Sequence, residues 1–187
     1  MGVKEKFFLE AGDAVLVVID VQEKLCHAMD EKVLKHLVKN AGILMEAAAE
    51  LKIPTIVTEQ YVKGLGETLH ELKGKSASPA FEKMTFSCCG DAPFTEKMKS
   101  LGKKQVIVVG MECHVCVLQT VIELLDAGFC VHLVRDAVMS RRKENWLVGL
   151  DAARDAGAVI TSTETALFQL LKVAGTEEFK KLSKLVR

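Results

Sequence analysis

Three residues able to do chemistry stand where apolar runs end. Asp20 closes AVLVVID (Ala14 to Asp20), Lys83 lies in FEKMTFS (Phe81 to Ser87), and Cys116 follows QVIVVG (Gln105 to Gly110) within the stretch VIVVGMECHVCVLQTVIELL. A carboxylate emerging from a run of consecutive apolar residues begins at the edge of a dry core. There desolvation raises its pKa, a nearby cation lowers it, and it can serve as a general base. The plainer alternative is a polar residue that starts a loop or caps a helix. Lys83, set among Phe81, Met84 and Phe86, can hold a carboxylate and a thiolate in register or stabilise negative charge developing on a substrate. A solvated loop lysine is its alternative. Cys116 falls where a helix should begin, and the free N–H groups and dipole of a helix start favour a thiolate there, able to attack an electrophilic carbon. Otherwise it is a small buried hydrophobe.

Cys113 and Cys116 together make a C-x-x-C. Two thiols at that spacing, opening a helix after a strand, offer chemistry of another class: a redox-active disulfide. A zinc site would need two further ligands, and Cys88, Cys89 and His114 are the candidates, but adjacent cysteines are a poor ligand spacing. His27, His36, His70 and His132 share no motif, so neither a metal nor a cofactor is expected. There is no G-x-S-x-G elbow, P-loop or G-x-G-x-x-G, which removes serine-hydrolase, nucleotide-hydrolysing and dinucleotide readings. The glycine-rich GLGETL, Gly64 to Leu69, follows no strand into a helix and so makes no phosphate cradle.

The elements that must position these residues are legible as periodicity. Near-continuous apolar, β-branched runs at Ala14 to Asp20, Pro54 to Glu59, Gln105 to Gly110 and Cys130 to Val138 read as strands buried on both faces, with weaker strands at Phe81 to Lys83 and Ala158 to Thr161. Helical spacing covers Lys32 to Leu51, Val117 to Ala127 (with Gly128 as a stop), Lys143 to Ala156 and Thr163 to Val173. Tyr61 to Ser87, poor in pattern and rich in Gly, Lys and Ser, is expected to be mainly a long loop carrying function. Strand and helix alternate, which implies right-handed crossovers and a three-layer α/β domain spanning residues 1–187, with a central, mainly parallel sheet of about six strands. In such sheets ligands bind beyond the carboxyl ends of the strands, where Asp20, Lys83 and Cys116 fall.

Bulk properties narrow the partners. Acidic and basic residues balance at 25 each, which argues against a nucleic-acid or anionic-membrane footprint and leaves a small molecule as the expected partner. No apolar run approaches a membrane span, and the first residues lack the apolar length of a signal sequence. Six cysteines with neither feature suggest a reducing, cytoplasmic setting without disulfides.

Taken in order, VLVVIDVQEKL (Val15 to Leu25), TEQYVKGLGET (Thr58 to Thr68), FEKMTFS and the long run from Val108 to Val138 resemble the isochorismatase-like cysteine hydrolases, over about Ala14 to Leu170. The resemblance implies a Rossmann-like α/β/α fold and an Asp–Lys–Cys triad whose positions match Asp20, Lys83 and Cys116. It also implies a cis peptide mapping to Met111-Glu112, an oxyanion hole from the backbone N–H groups of Glu112 and Cys116, and homo-oligomers from dimers upward. The implied reaction is metal-independent cleavage of an amide-like C–N bond through a thioester. Nicotinamidases, related to this family, place an Asp and histidines after the second strand to hold a metal. This chain has Gln60 and Tyr61 there, so nicotinamide is not the expected substrate. Gln22, Gln60, Tyr61, Phe86 and His114 lie near the motif residues and are candidate pocket or support positions. A non-catalytic binding protein on the same fold is the remaining alternative.

Overall fold

A computed structural model describes residues 2–187. Six strands, β1 (Ala14–Ile19), β2 (Thr55–Gln60), β3 (Phe81–Lys83), β4 (Gln105–Met111), β5 (Cys130–Met139) and β6 (Val159–Thr161), form one sheet in the order β3-β2-β1-β4-β5-β6. Every pairing is parallel. The helices in chain order are α1 (Val3–Phe7), α2 (Glu23–Cys26), α3 (Glu31–Glu50), α4 (Val62–Leu65), α5 (His70–Lys73), α6 (Ala92–Leu101), α7 (Leu118–Asp126), α8 (Lys143–Asp155), α9 (Thr163–Leu171) and α10 (Glu177–Leu182).

The alternation of side chains along each strand divides the core into two layers. Leu16 and Val18 of β1 and Ile107 and Val109 of β4 pack with Leu37, Leu44 and Met45 of α3 and with Leu170 of α9. Their neighbours Val15, Val17, Val106 and Val108 face the other way, onto Phe94 and Met98 of α6, Val121 and Leu124 of α7, and Leu150 and Ala153 of α8. Strands covered on both faces have no polar side to show, which is why β1 is apolar throughout and β4 is apolar after Gln105.

Strand order runs one way from β1 to β3 and the other from β4 to β6. The reversal leaves a crevice at the carboxyl ends of β1 and β4, and Asp20 and Cys116 flank it. Gly110 sets how closely β4 approaches β1 there. Its φ is +121°, and a Cβ at this position would lie 2.0 Å from the Ile19 carbonyl oxygen, so only glycine fits beside the residue that precedes Asp20.

The strands and four long helices follow the sequence patterns closely, whereas α1, α2, α6 and α10 were not expected and two further features differ. α6 has no counterpart among the expected elements because only Phe94 and Met98 of its ten residues are buried, too narrow a stripe to read as periodicity. Its boundaries are nevertheless chemical: Asp91 accepts from the Phe94 N–H, Pro93 sits in the first turn, and Gly102 closes it in the left-handed region. The stretch expected to be loop, Tyr61 to Ser87, contains the single-turn helices α4 and α5 as well as β3. Finally, the helix expected from Val117 starts one residue later, behind a wide turn over Cys113–Val117 in which the Val117 N–H reaches back five residues to the Glu112 carbonyl at 3.3 Å. Such wide turns recur at functional sites.

His132 of β5 is fully buried, its Nδ1 has no partner, and desolvation holds its pKa down at about 4. An unfolded chain protonates this imidazole near 6.5, whereas the folded one resists until about 4. The stability contributed by the neutral ring is therefore complete above about pH 6.5 and lost as pH falls through the folded value. Denaturant titrations between pH 7 and 4 are expected to show falling stability in wild type and a shallower fall in His132→Leu. An unchanged slope in the variant would contradict this.

Candidate active site

Each reactive side chain is delivered by a strand end. Asp20 follows β1 with φ +51°, its N–H donating to the Thr58 carbonyl at 3.2 Å, and it is wholly buried. Lys83 ends β3 directly opposite Gln60 in the parallel register. Its ammonium, 2 % exposed as a residue, lies 2.7 Å from Asp20 Oδ2. It also donates to Gln60 Oε1 at 2.7 Å and to the carbonyls of Phe86 at 2.9 Å and Thr85 at 3.2 Å. Thr58 Oγ1 donates to the other carboxylate oxygen, Asp20 Oδ1, at 2.8 Å. A buried charge pair persists only when its remaining valences are met, and here they are.

Cys116 lies in the wide turn beyond β4, 6 % exposed, with its thiol close enough to Asp20 to feel the carboxylate's charge. Burial pushes the thiol pKa up, the Asp20 charge raises it further, and Lys83 opposes with a smaller downward pull. This differs from the expectation that the helix start would favour a thiolate. Burial beside a carboxylate favours the protonated thiol.

Cys113 faces elsewhere. Its Sγ donates to the Trp146 carbonyl at 3.7 Å, burial pushes its pKa up to about 12, and a Cβ on Gly149 of α8 would lie 2.9 Å from that sulfur. Cys113 is thus packed into the α8 face.

The remaining candidate residues divide into frame and rim. Gln22, fully buried, accepts from the Gln60 N–H at 2.7 Å and donates to the carbonyls of Gln60 and Gly66, at 3.0 and 2.6 Å. Gln60 in turn donates to the Met84 carbonyl at 2.8 Å while its Oε1 receives Lys83. These two amides form the floor that fixes Lys83. Tyr61, φ +40°, is half exposed with its ring over Gly64, and Phe86 is exposed beside the Lys83 loop. His114 is held by Ser140 Oγ at 3.0 Å and Asn145 Nδ2 at 3.2 Å, and no contact joins it to Asp20 or Lys83. The Met111-Glu112 peptide is cis, and the Glu112 carboxylate receives the N–H and Nε of Arg141 at 2.8 and 3.1 Å, tying this loop to the end of β5.

Residues outside the sequence candidates complete the site. Thr58 was findable, since register places it beside Ile19 and hence next to Asp20. Thr120 and Cys88 have no such local signal. The Thr120 hydroxyl donates to the Cys116 carbonyl at 2.7 Å and accepts from the Cys88 N–H at 2.9 Å, joining residues far apart in sequence. Among the described residues no cluster of His, Cys, Asp or Glu has the arrangement of a metal site. A groove of about 960 Å³ lies against α2 and α3 and is lined by none of the three reactive residues.

A parallel α/β sheet with a buried carboxylate, ammonium and thiol at its switch point defines a class of hydrolase-like proteins, and comparison gives the family. The isochorismatase domain model matches residues 14–165, and the chain belongs to the isochorismatase family, as a hydrolase of unspecified substrate. It is 40 % identical over 181 residues to the secreted isochorismatase effector Isc1 of Phytophthora sojae, covering 93 % of this chain and 84 % of that one. Isochorismatase domain-containing protein 2 of Bos taurus is 36 % identical, covering 94 % and 84 % respectively. Among solved structures, the MAR1 ribonuclease of Caenorhabditis elegans superposes with a TM-score of 0.89 at 38 % identity, over 96 % of this chain and 92 % of that one. The Escherichia coli YcaC gene product, described as an octameric hydrolase of unknown specificity, superposes at 0.86 with 23 % identity, over 95 % and 90 %, and so shares the fold. Among the described residues no helix is long and apolar enough to cross a membrane.

The electrostatics of the site give a direct test. Replacing Asp20 by Asn removes the charge that holds the Cys116 proton, while Lys83 keeps Gln60 and two carbonyls as acceptors. The thiol pKa is then expected to fall, so ultraviolet thiolate absorbance, corrected with Cys116→Ala, should show Cys116 ionising at lower pH in Asp20→Asn than in wild type. An unchanged or higher ionisation midpoint would show that the Asp20 charge does not hold that proton.

Proposed function

We propose that this chain is a metal-independent cysteine hydrolase that cleaves an amide-like C–N bond in a small molecule. The observation that carries the reading is the buried Lys83–Asp20 pair with the Cys116 thiol buried in the field of the same carboxylate. In the reaction Asp20 takes the thiol proton as Cys116 Sγ attacks the substrate carbonyl, and the C–O double bond opens to an oxyanion. The N–H groups of Glu112 and Cys116 stabilise that oxyanion. Collapse of the oxyanion expels the amine, which receives the proton from Asp20. Water, deprotonated by the same carboxylate, then attacks the thioester and releases the acid and the free thiol.

Lys83 acts as a positioning cation. It holds the Asp20 carboxylate in place while the negative charge moves between carboxylate and sulfur, and Gln60, clamped by Gln22, holds Lys83. Gln60 occupies the end of β2 as a partner of Lys83, which supports chemistry that uses no metal there. Tyr61, Phe86 and His114 are proposed as pocket residues around the mouth of the site. The exposed apolar side chains of Met84 and Phe86 support a homo-oligomer that covers this rim, and the octameric description of the Escherichia coli structure agrees with such assembly. A reducing, cytoplasmic setting is supported by six free thiols.

The test is a panel of small amides and activated esters with mass detection of the acyl-enzyme. Cys116→Ala and Asp20→Asn are each expected to lose turnover by at least about 10³-fold, and Cys113→Ala to retain most of it. Retention in Cys116→Ala with loss in Cys113→Ala would overturn the assignment. Because the Caenorhabditis elegans structure is described as a ribonuclease, RNA belongs in the panel. RNA cleavage that survives Cys116→Ala would mark a different chemistry from the one proposed.

A further inference from the structure

Cys88 is a second buried thiol at the site, and hydrolysis gives it no task. It lies in the short turn after the Lys83 loop, is fully buried, and shares one apolar cluster with Cys116. Two contacts tie it to the reacting groups. Its Sγ donates to Thr58 Oγ1 at 3.7 Å, and Thr58 Oγ1 donates to Asp20 Oδ1 at 2.8 Å, so a two-step hydrogen-bond path runs from the Cys88 thiol to the general base. Its N–H donates to Thr120 Oγ1 at 2.9 Å, and that hydroxyl donates to the Cys116 carbonyl at 2.7 Å, so one hydroxyl group spans the gap between the two backbones. The charges of Cys88 and Cys116 are also close enough for each deprotonated thiol to feel Asp20, and Cys88 raises the pKa of Cys116.

The other thiols are placed differently. Cys113 is committed to the Trp146 carbonyl and packs on Gly149, on the α8 face of the wide turn. Cys89, although next in sequence, is half-buried and lies in the field of Glu123. Thr58 and Thr120 instead link Cys88 to the groups around Cys116.

We propose that Cys88 is a resolving thiol, which captures Cys116 in a Cys88–Cys116 disulfide after peroxide oxidation and so switches the hydrolase off reversibly. The inference rests on the proton transfer from Cys116 to Asp20 in the proposed function. Peroxide is the two-electron oxidant. Cys116 Sγ, its proton passing to Asp20, attacks one peroxide oxygen; the O–O bond breaks, and the departing hydroxide takes that proton to leave as water. Cys116 becomes a sulfenic acid. Cys88 Sγ then attacks the sulfenic sulfur, its own proton moving through Thr58 to Asp20. The S–O bond breaks, hydroxide collects the proton as a second water, and the S–S bond forms. The disulfide occupies the nucleophile, and a dithiol reductant returns both thiols.

The experiment exposes the purified full chain to graded hydrogen peroxide, follows intact mass, and maps linked peptides by fragmentation without reduction. Wild type is expected to lose two hydrogens with a Cys88–Cys116 link, and dithiothreitol should restore acylation of Cys116 by p-nitrophenyl acetate. Cys88→Ala is expected to gain two or three oxygens at Cys116 instead, with acylation not restored. The wild-type map needs no variant, so the test survives a poorly folding Cys88→Ala. A link from Cys116 to Cys113, or over-oxidised Cys116 with Cys88 still free in wild type, would overturn the inference. If Cys116 is acylated by the ester yet forms no link to Cys88, this inference alone fails. If Cys116 is neither acylated nor oxidised, the hydrolase reading fails with it.

Discussion

The buried ion pair between Lys83 and Asp20 is the constraint around which the rest of the site is arranged. Removing one partner of such a pair leaves an uncompensated charge in a low-dielectric interior, which typically costs about 3–5 kcal/mol. The fold offsets the desolvation with a complete set of acceptors and donors: Gln60, two loop carbonyls, Thr58 and the Asp20 backbone. Those partners come from β1, β2 and the chain after β3, so the parallel register of three strands is also the alignment of the charges. The same requirement explains the Gln22 clamp, which locks the end of β2 to the loop at Gly66 and has no bond to any reacting group.

The pair also decides the state of the nucleophile. A thiol buried beside a carboxylate keeps its proton, and a lysine already shared with that carboxylate lowers the thiol pKa only in part. In the proposed reaction the proton therefore moves during attack, from sulfur to Asp20, while Lys83 stays paired with that carboxylate. Gly110 contributes by letting β4 press onto β1, which brings the turn carrying Cys116 to the end of the strand carrying Asp20.

The sequence made the strands legible because burial on both faces leaves only apolar residues, and it made Asp20, Lys83 and Cys116 legible because each interrupts or follows such a run. α6 was not legible, since two buried residues in ten leave almost no periodicity. The protonated resting state of Cys116 was not legible either: helix-start reasoning is local, whereas the desolvation and the Asp20 charge come from elements distant in sequence. The division between Cys113 and Cys88 has the same origin. Spacing of two intervening residues suggests a pair, but a wide turn directs Cys113 to α8, and the Thr120 hydroxyl joins Cys116 to Cys88 instead. Contacts of this kind depend on strand order and helix packing, which no short motif encodes.

The place where an acyl group is held once formed is the most direct test of the proposed chemistry. A crystal structure of the trapped acyl-enzyme, prepared with a slowly hydrolysed activated ester, is expected to show the acyl carbon bonded to Cys116 Sγ. Its carbonyl oxygen should lie within hydrogen-bond distance of the Glu112 and Cys116 N–H groups, with Lys83 still on Asp20. An acyl group on another cysteine, or a carbonyl oxygen turned away from both N–H groups, would contradict it.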